Sequence, residues 1–209
     1  MKTLIGTVPE RWTQVLLGDV CAVVAGPGSI GRSEDRASSG VPIVAPRNIR
    51  HNRIVADDLM FTTADAAAKL SRYRLAMGDV VCTRTGELGR NALVAEGQAG
   101  WLLGAGCMRL RSTGRVIATY LTYYLANPAV RDWIQRNATS SAISSISART
   151  LSRMPIVLPP LSAQCRIGEV LDALDDKIAV HDQISTATAA LRDSLSPLLM
   201  TGYGSFVDY

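Results

Sequence analysis

From Ser162 to about Leu199, apolar residues recur at helical spacing. Ile167, Leu171, Leu174, Ile178, Ile184, Leu191, Leu195 and Leu198 form the series, with polar His181 and Thr188 filling its gaps. Steps of three and four mark a coiled-coil-like stripe. A helix of this length extends ~55 Å at about 1.5 Å per residue, farther than one small domain reaches. Something else must therefore bury its far end, the alternative being a terminal helix folded back on its own domain. Glu169, Asp172, Asp175 and Asp176 stand off the seam. Immediately upstream, Pro159-Pro160 stops a short apolar strand, Ile156-Val157-Leu158, and Ser162 is placed to cap the helix. Pro197 and the run Thr201 to Tyr209 predict fraying. The chain thus divides into a globular part over 1–160, a long helix over 161–200 and a flexible tail over 201–209.

Ahead of the helix the apolar runs are short and bounded by glycine or polar turns: Val20 to Ala25, Val41 to Ala45, Asp79 to Thr83, Ala92 to Ala95 and Cys107 to Leu110. That punctuation predicts β-structure. Asp57 to Leu70 reads as a short helix or a loop. Thr119 to Leu125 and Ala129 to Arg136 read as helices broken at Asn127-Pro128, because proline cannot continue a helix. The expected fold class is α+β, a β-rich domain with small helices followed by one long coiled-coil-like helix. No internal repeat is visible.

Charge separates the two parts. Residues 1–160 hold 19 Lys+Arg against 11 Asp+Glu, whereas residues 161–209 hold 3 against 7. The globular part suits a polyanion and the helix does not. Arginine makes up 17 of those 19 basic residues, and its planar fork matches phosphate and guanine edges. Two clusters concentrate this chemistry. Arg47, Asn48, Arg50 and Arg53 lie in one seven-residue run, where arginine suits guanine and asparagine suits adenine. Arg84, Thr85, Glu87, Arg90 and Asn91 surround the glycines Gly86 and Gly89, and Glu87 is suited to a cytosine amino group. Arg72 and Arg74 are expected to contact phosphates. The hydroxyl-rich run Thr139 to Ser147 either bonds phosphates or forms a surface loop.

Catalytic signatures are missing from the sequence. Gly26-Pro27-Gly28-Ser29-Ile30-Gly31 spells G-x-G-x-x-G, but polar, turn-rich residues follow it, and Arg50-His51-Asn52-Arg53 stands where a dinucleotide site needs an acid. Gly86-Glu87-Leu88-Gly89 lacks the lysine of a P-loop. The one Pro-Pro pair is flanked by Leu158 and Leu161, unlike the Asn/Asp-Pro-Pro-aromatic site of adenine methyltransferases. No acidic constellation for magnesium appears in the basic half. Cys21, Cys82, Cys107 and Cys165 are scattered and, with only His51 and His181 available, predict buried thiols rather than a metal site. With no membrane-length apolar run and no signal-like start, the expected location is the cytoplasm.

Four segments together resemble a known family. They are Pro9-Glu10-Arg11-Trp12 with Leu17-Gly18-Asp19-Val20; Gly40-Val41-Pro42-Ile43-Val44 with Asn48-Ile49; Leu75 to Val81 leading into Thr83 to Gly89; and Ser140 to Ser147 running through Met154-Pro155-Ile156-Val157-Leu158-Pro159-Pro160 into the helix. Their order resembles a target recognition domain in the specificity subunit of type I restriction-modification systems. The resemblance implies a non-catalytic reader of double-stranded DNA, with one recognition domain and one helix where the usual member carries two of each. It implies a modification subunit that methylates adenine with S-adenosylmethionine, and a restriction subunit that hydrolyses ATP and cuts. These cofactors, and magnesium, belong to the partners and none to this chain. The helix, through Ile167, Leu171, Leu174, Ile178, Ile184 and Leu191, is expected to pair with a second copy. Rival readings are a recognition module of another DNA-modifying complex and a stand-alone DNA-binding regulator.

Overall fold

The computed structural model describes residues 1–28, 36–139 and 143–201. In chain order its elements are β1 (Lys2–Thr3), β2 (Gly6–Thr7), β3 (Thr13–Leu16), β4 (Cys21–Ala25), β5 (Arg36–Ala37), β6 (Val41–Val44), β7 (Ile49–Arg50), β8 (Arg53–Ile54) and β9 (Met60–Thr62). There follow α1 (Ala64–Lys69), β10 (Val80–Thr83), β11 (Asn91–Leu93), β12 (Leu102–Leu103), β13 (Cys107–Ser112), α2 (Ala118–Ala126), α3 (Pro128–Arg136), α4 (Ala148–Ser152), β14 (Pro155–Leu158) and α5 (Leu161–Met200). The mixture is α+β, with the strands ahead of the long helix. The chain divides into two compact units, Met1–Glu169 and Val170–Tyr209.

In the first unit a six-stranded sheet runs in the order β4-β13-β10-β11-β8-β7, antiparallel except where β11 meets β8. Successive side chains of a strand point to opposite faces. Val80, Cys82, Met108 and Leu110 accordingly enter one core with Tyr120, Leu121 and Ile134, while Val81, Ala92 and Cys107 enter a second with Val44, Ile49 and Ile54. A strand buried on both faces needs a continuous apolar run. Val80-Val81-Cys82 is one. A smaller sheet, β12-β6-β9-β5, packs Ile43 and Leu102 against Ala67 of α1. The strand before the double proline, β14, pairs antiparallel with β3, setting Ile156 opposite Val15.

The break between α2 and α3 has a local cause. Pro128 occupies the first turn of α3, and the Asn127 side chain accepts from the Ala129 amide at 2.9 Å. In 57–70 the structure has both a strand, β9, and a helix, α1, capped by Thr63.

Helix α5 occupies the expected 161–200, but its start is not capped as expected. Its first turn bonds back to Pro160, whose carbonyl accepts from Ala163 and Gln164 at 2.8 and 3.0 Å, so Ser162 lies inside the helix rather than at its cap. The opening turns belong to the first unit, where Gln164 is only 1% exposed. Its side-chain oxygen accepts from Ile117 N at 2.8 Å, and its amide donates to the carbonyls of Pro159 at 2.9 Å and Arg115 at 3.3 Å. Gly168 meets α2 so closely that a Cβ there would sit 2.5 Å from Thr119 Oγ1.

The second unit carries the remainder of α5. Val170, Leu174, Ile178, Val180, Ile184 and Leu191 are each more than half exposed. Ile178, His181 and Ile184 are separated by two successive steps of three, a local phase change in the stripe. The helix continues through Pro197 to Met200. The glycine loop from Ser29 onward, Ser140 to Ala142, and the expected tail from Gly202 lie outside the described residues.

Candidate nucleic-acid interface

Three chain segments cross at Gly106. The Arg84 amide donates to its carbonyl at 2.9 Å, and a Cβ on Gly106 would lie 2.6 Å from Pro46 Cγ and 2.9 Å from Thr85 Oγ1. The two basic clusters, far apart in the chain, are thereby neighbours. Gly86 and Gly89 take positive φ of 73° and 85°, a region open to glycine at little cost, and so turn the chain from β10 toward β11. Inside the turn the Thr83 hydroxyl donates to Glu87 O at 2.7 Å.

A fourth segment docks on this turn. Ser145 pairs with Thr85 and Thr139 as isolated bridges, Gly86 N donates to Ser144 O at 3.1 Å and Ile146 N donates to Arg84 O at 3.0 Å. The described part of the hydroxyl-rich run is therefore strand-like and anchored. From α3, exposed Arg131 joins the rim, since a Cβ on Gly89 would meet its Cγ at 3.3 Å. Sequence reasoning missed Arg131 because only its helical position distinguishes it from other surface arginines.

The basic side chains are differently held. Arg47 Nε stands 3.0 Å from Asp58 Oδ2, and Nε and Nη2 also donate to Asp58 O. Arg50 pairs with Asp57 at 3.8 Å and donates to Arg47 O. Arg53 follows the two-residue turn His51-Asn52, both at positive φ, in the edge hairpin β7–β8. Arg90 Nε is 3.4 Å from Glu87 Oε2, an ion pair by distance that lacks hydrogen-bond geometry. Arg84 is half-buried and its Nε has no partner.

Sequence groups Asn48 and Asn91 with the arginines as adenine readers; the structure buries both, at 0% and 1% exposure. Asn48 closes a 3-10 turn, accepting from Ala45 N at 3.0 Å and donating to Asp57 O at 2.8 Å. Asn91 lies in the sheet opposite Cys82, with neither side-chain polar atom partnered.

Arg72 and Arg74 lie on a segment braced from β13. Arg109 and Arg111 of β13 reach their segment: Arg109 Nη1 donates to Arg72 O at 3.1 Å and Arg74 O at 2.9 Å. Arg111 grips the buried carboxylate of Asp79 with two bonds of 2.7 Å. No local signal in the sequence announces this brace, because its partners are distant in the chain.

Burial pushes the Cys21 and Cys82 thiols up to about 12 and Cys107 higher still, which keeps them protonated. Among the described residues no cluster of His, Cys, Asp and Glu could hold a metal ion, and no helix is long and apolar enough to cross a membrane.

The architecture has known counterparts. The HsdS subunit from Thermoanaerobacter tengcongensis aligns with a TM-score of 0.61 at 21% identity, covering 86% of this chain and 41% of that one. The type I restriction-modification S subunit from M. genitalium gives 0.64 at 13% identity, covering 94% and 48%. Among curated proteins, the MjaX specificity subunit of a type I restriction enzyme from Methanocaldococcus jannaschii is 27% identical over 208 residues, 96% of this chain and 48% of that protein. The EcoBI specificity subunit from Escherichia coli is 20% identical over 207 residues, 94% and 42% respectively. The chain thus spans about half the length of the curated relatives it matches. The family model described as the type I restriction modification DNA specificity domain matches residues 9–187. Because that match begins ahead of β3 and runs well into α5, taking in the sheets and the helix together, this chain belongs to the family of type I restriction-modification DNA specificity domains.

Proposed function

We propose that this chain is a sequence-specific DNA reader that recognises one half of a bipartite target and performs no chemistry itself. In this reading it directs a modification subunit that methylates adenine and a restriction subunit that cuts, and S-adenosylmethionine, ATP and magnesium act in those partners. The meeting of three loops at Gly106 carries the reading, because it brings Arg47, Arg84, Thr85 and Arg90 to one locality on a rigid sheet. Arg50, Arg53 and Glu87 flank them, and Asn48 and Asn91 support the loops from within.

Recognition of the other half falls to a second copy, paired through Leu171, Leu174, Ile178, Ile184 and Leu191 of α5; Ile167, expected in the same seam, instead packs against the first unit's own core. Two identical readers related by a two-fold axis need a target of matching symmetry. The target is then two inverted half-sites around a fixed spacer. Each base pair added to the spacer rotates one half-site by about 35°, at roughly 10 to 10.5 base pairs per turn. Selection of bound duplexes from a randomised pool tests this reading. Inverted repeats at one spacing are the expected yield; an asymmetric motif would remove the homodimer, and no enrichment would remove the reader.

A further inference from the structure

Strand β13 sends Met108 and Leu110 into one core, while Cys107, Arg109 and Arg111 share the other face. Arg109 is only 8% exposed, yet its hydrogen bonds run to carbonyls rather than to a carboxylate. Its Nη1 is divided between the carbonyls of Arg72 and Arg74, and its Nε has no partner. Burial, and then the charge of Arg111, lower its pKa against the pull of Asp79. Asp79 is itself engaged by both Arg111 bonds and by the Ala76 amide at 2.8 Å. Arg74 donates to Gly100 O at 3.0 Å, and the Arg72 guanidinium lies 5.0 Å over the Tyr73 ring.

Asp79 thus answers Arg111 directly, while Arg109 is spent on the main chain of Arg72 and Arg74 and leaves their guanidinium groups on Tyr73 and Gly100 O, a use of buried charge that a purely structural brace does not require. Apolar side chains of similar volume commonly hold a segment as well as a buried ion does. What the guanidinium adds is fixed backbone: two carbonyls held by one nitrogen set the Arg72–Arg74 main chain before any ligand arrives, which lowers the ordering cost of binding. A stacked arginine also keeps its edge donors available to a phosphate. Three residues along β13 separate Arg109 from Gly106, about 10 Å at roughly 3.4 Å per residue.

We propose that Arg109 is the positioning residue of a phosphodiester clamp, in which Arg72 and Arg74 grip the DNA backbone beside the loops that meet at Gly106. The proposal rests on the DNA-reading function above and adds a sequence-independent contact to it. Arg109 touches no DNA and acts through the main chain of the clamp.

The experiment measures binding of the full chain to a mixed-sequence duplex across a salt series. Each phosphate contact contributes a slope of about −0.9 in log affinity against log salt. Removing both contacts with Arg72→Ala plus Arg74→Ala should flatten the slope by about 1.8. Arg109→Met should flatten it equally, and the triple variant no further. Arg109→Lys, which retains charge and reaches one carbonyl, should lose about 0.9, one contact's worth, and decides the matter if the Met variant does not fold. A folded Arg109→Met or Arg109→Lys protein with the parental slope, or an additive triple variant, overturns the clamp while leaving the reader intact. A flat slope in the unmodified chain overturns both.

Discussion

In the unit Met1–Glu169, the large apolar residues Leu17, Ile49, Leu103, Met108, Leu121 and Ile156 are fully buried, and the surface chemistry is carried by arginine. From Val170 onward the relation inverts: leucine and isoleucine are exposed at helical spacing and the charge is acidic. The first arrangement suits a polyanion held by long-range attraction, the second an apolar partner held by contact. The two should therefore respond differently to salt, to charge and to added volume.

The largest separation should appear with salt. If five phosphates are contacted, DNA affinity falls about 500-fold between 50 and 200 mM salt, whereas self-association through α5 should change only a few-fold. Binding titration beside sedimentation in the same buffers measures both, and parallel responses would erase the distinction. Next, Leu174→Asp sets a carboxylate in the proposed pairing seam at a cost of several kcal/mol. Self-association should weaken at least about 100-fold while the first unit keeps its melting behaviour. Light scattering that still finds the parental oligomer would remove α5 as the pairing surface.

A smaller effect should mark the loops proposed to read bases. Arg84→Ala should cost about 1–3 kcal/mol at one position of the target without altering self-association, as selection from a randomised pool would report. Unchanged preference would place the readout elsewhere. Smallest is the contrast between Gly168→Ala and Ala187→Val on the same helix. The former should destabilise by about 1–3 kcal/mol through overpacking against Thr119, the latter, at an exposed position, by under about 0.5 kcal/mol. Equal melting temperatures would mean that α2 yields to the added methyl.

Local signals are legible in the sequence and long-range ones are not. The stripe of α5, the break at Asn127-Pro128 and the glycine turn after β10 are each set by neighbouring residues, and the structure has them. Arg47 and Arg84 are readable as candidate contacts, but their meeting at Gly106 depends on strand pairing across the chain. The same limit separates arginines of one composition. Nothing next to Arg109 and Arg111 in the sequence signals their partners, yet β13 commits them to the main chain of Arg72 and Arg74 and to Asp79. Asn48 and Asn91 read as surface residues for a related reason, since burial is a property of the folded sheet.

The crossing at Gly106 also bears on how such a protein can change its preference. Gly26 would clash with Gly104 O, and Gly104 with Val44 O, if either carried a side chain, so these two glycines allow main-chain segments to touch, while Gly106 makes room for the side chains of Pro46 and Thr85. In the proposed reader no side chain at these points takes part in recognition, while the residues that project from the loops bear little of the core. A new target could be acquired by rewriting the projections alone. The glycines act as a fixed chassis, and the library of possible specificities lies in the side chains mounted on it.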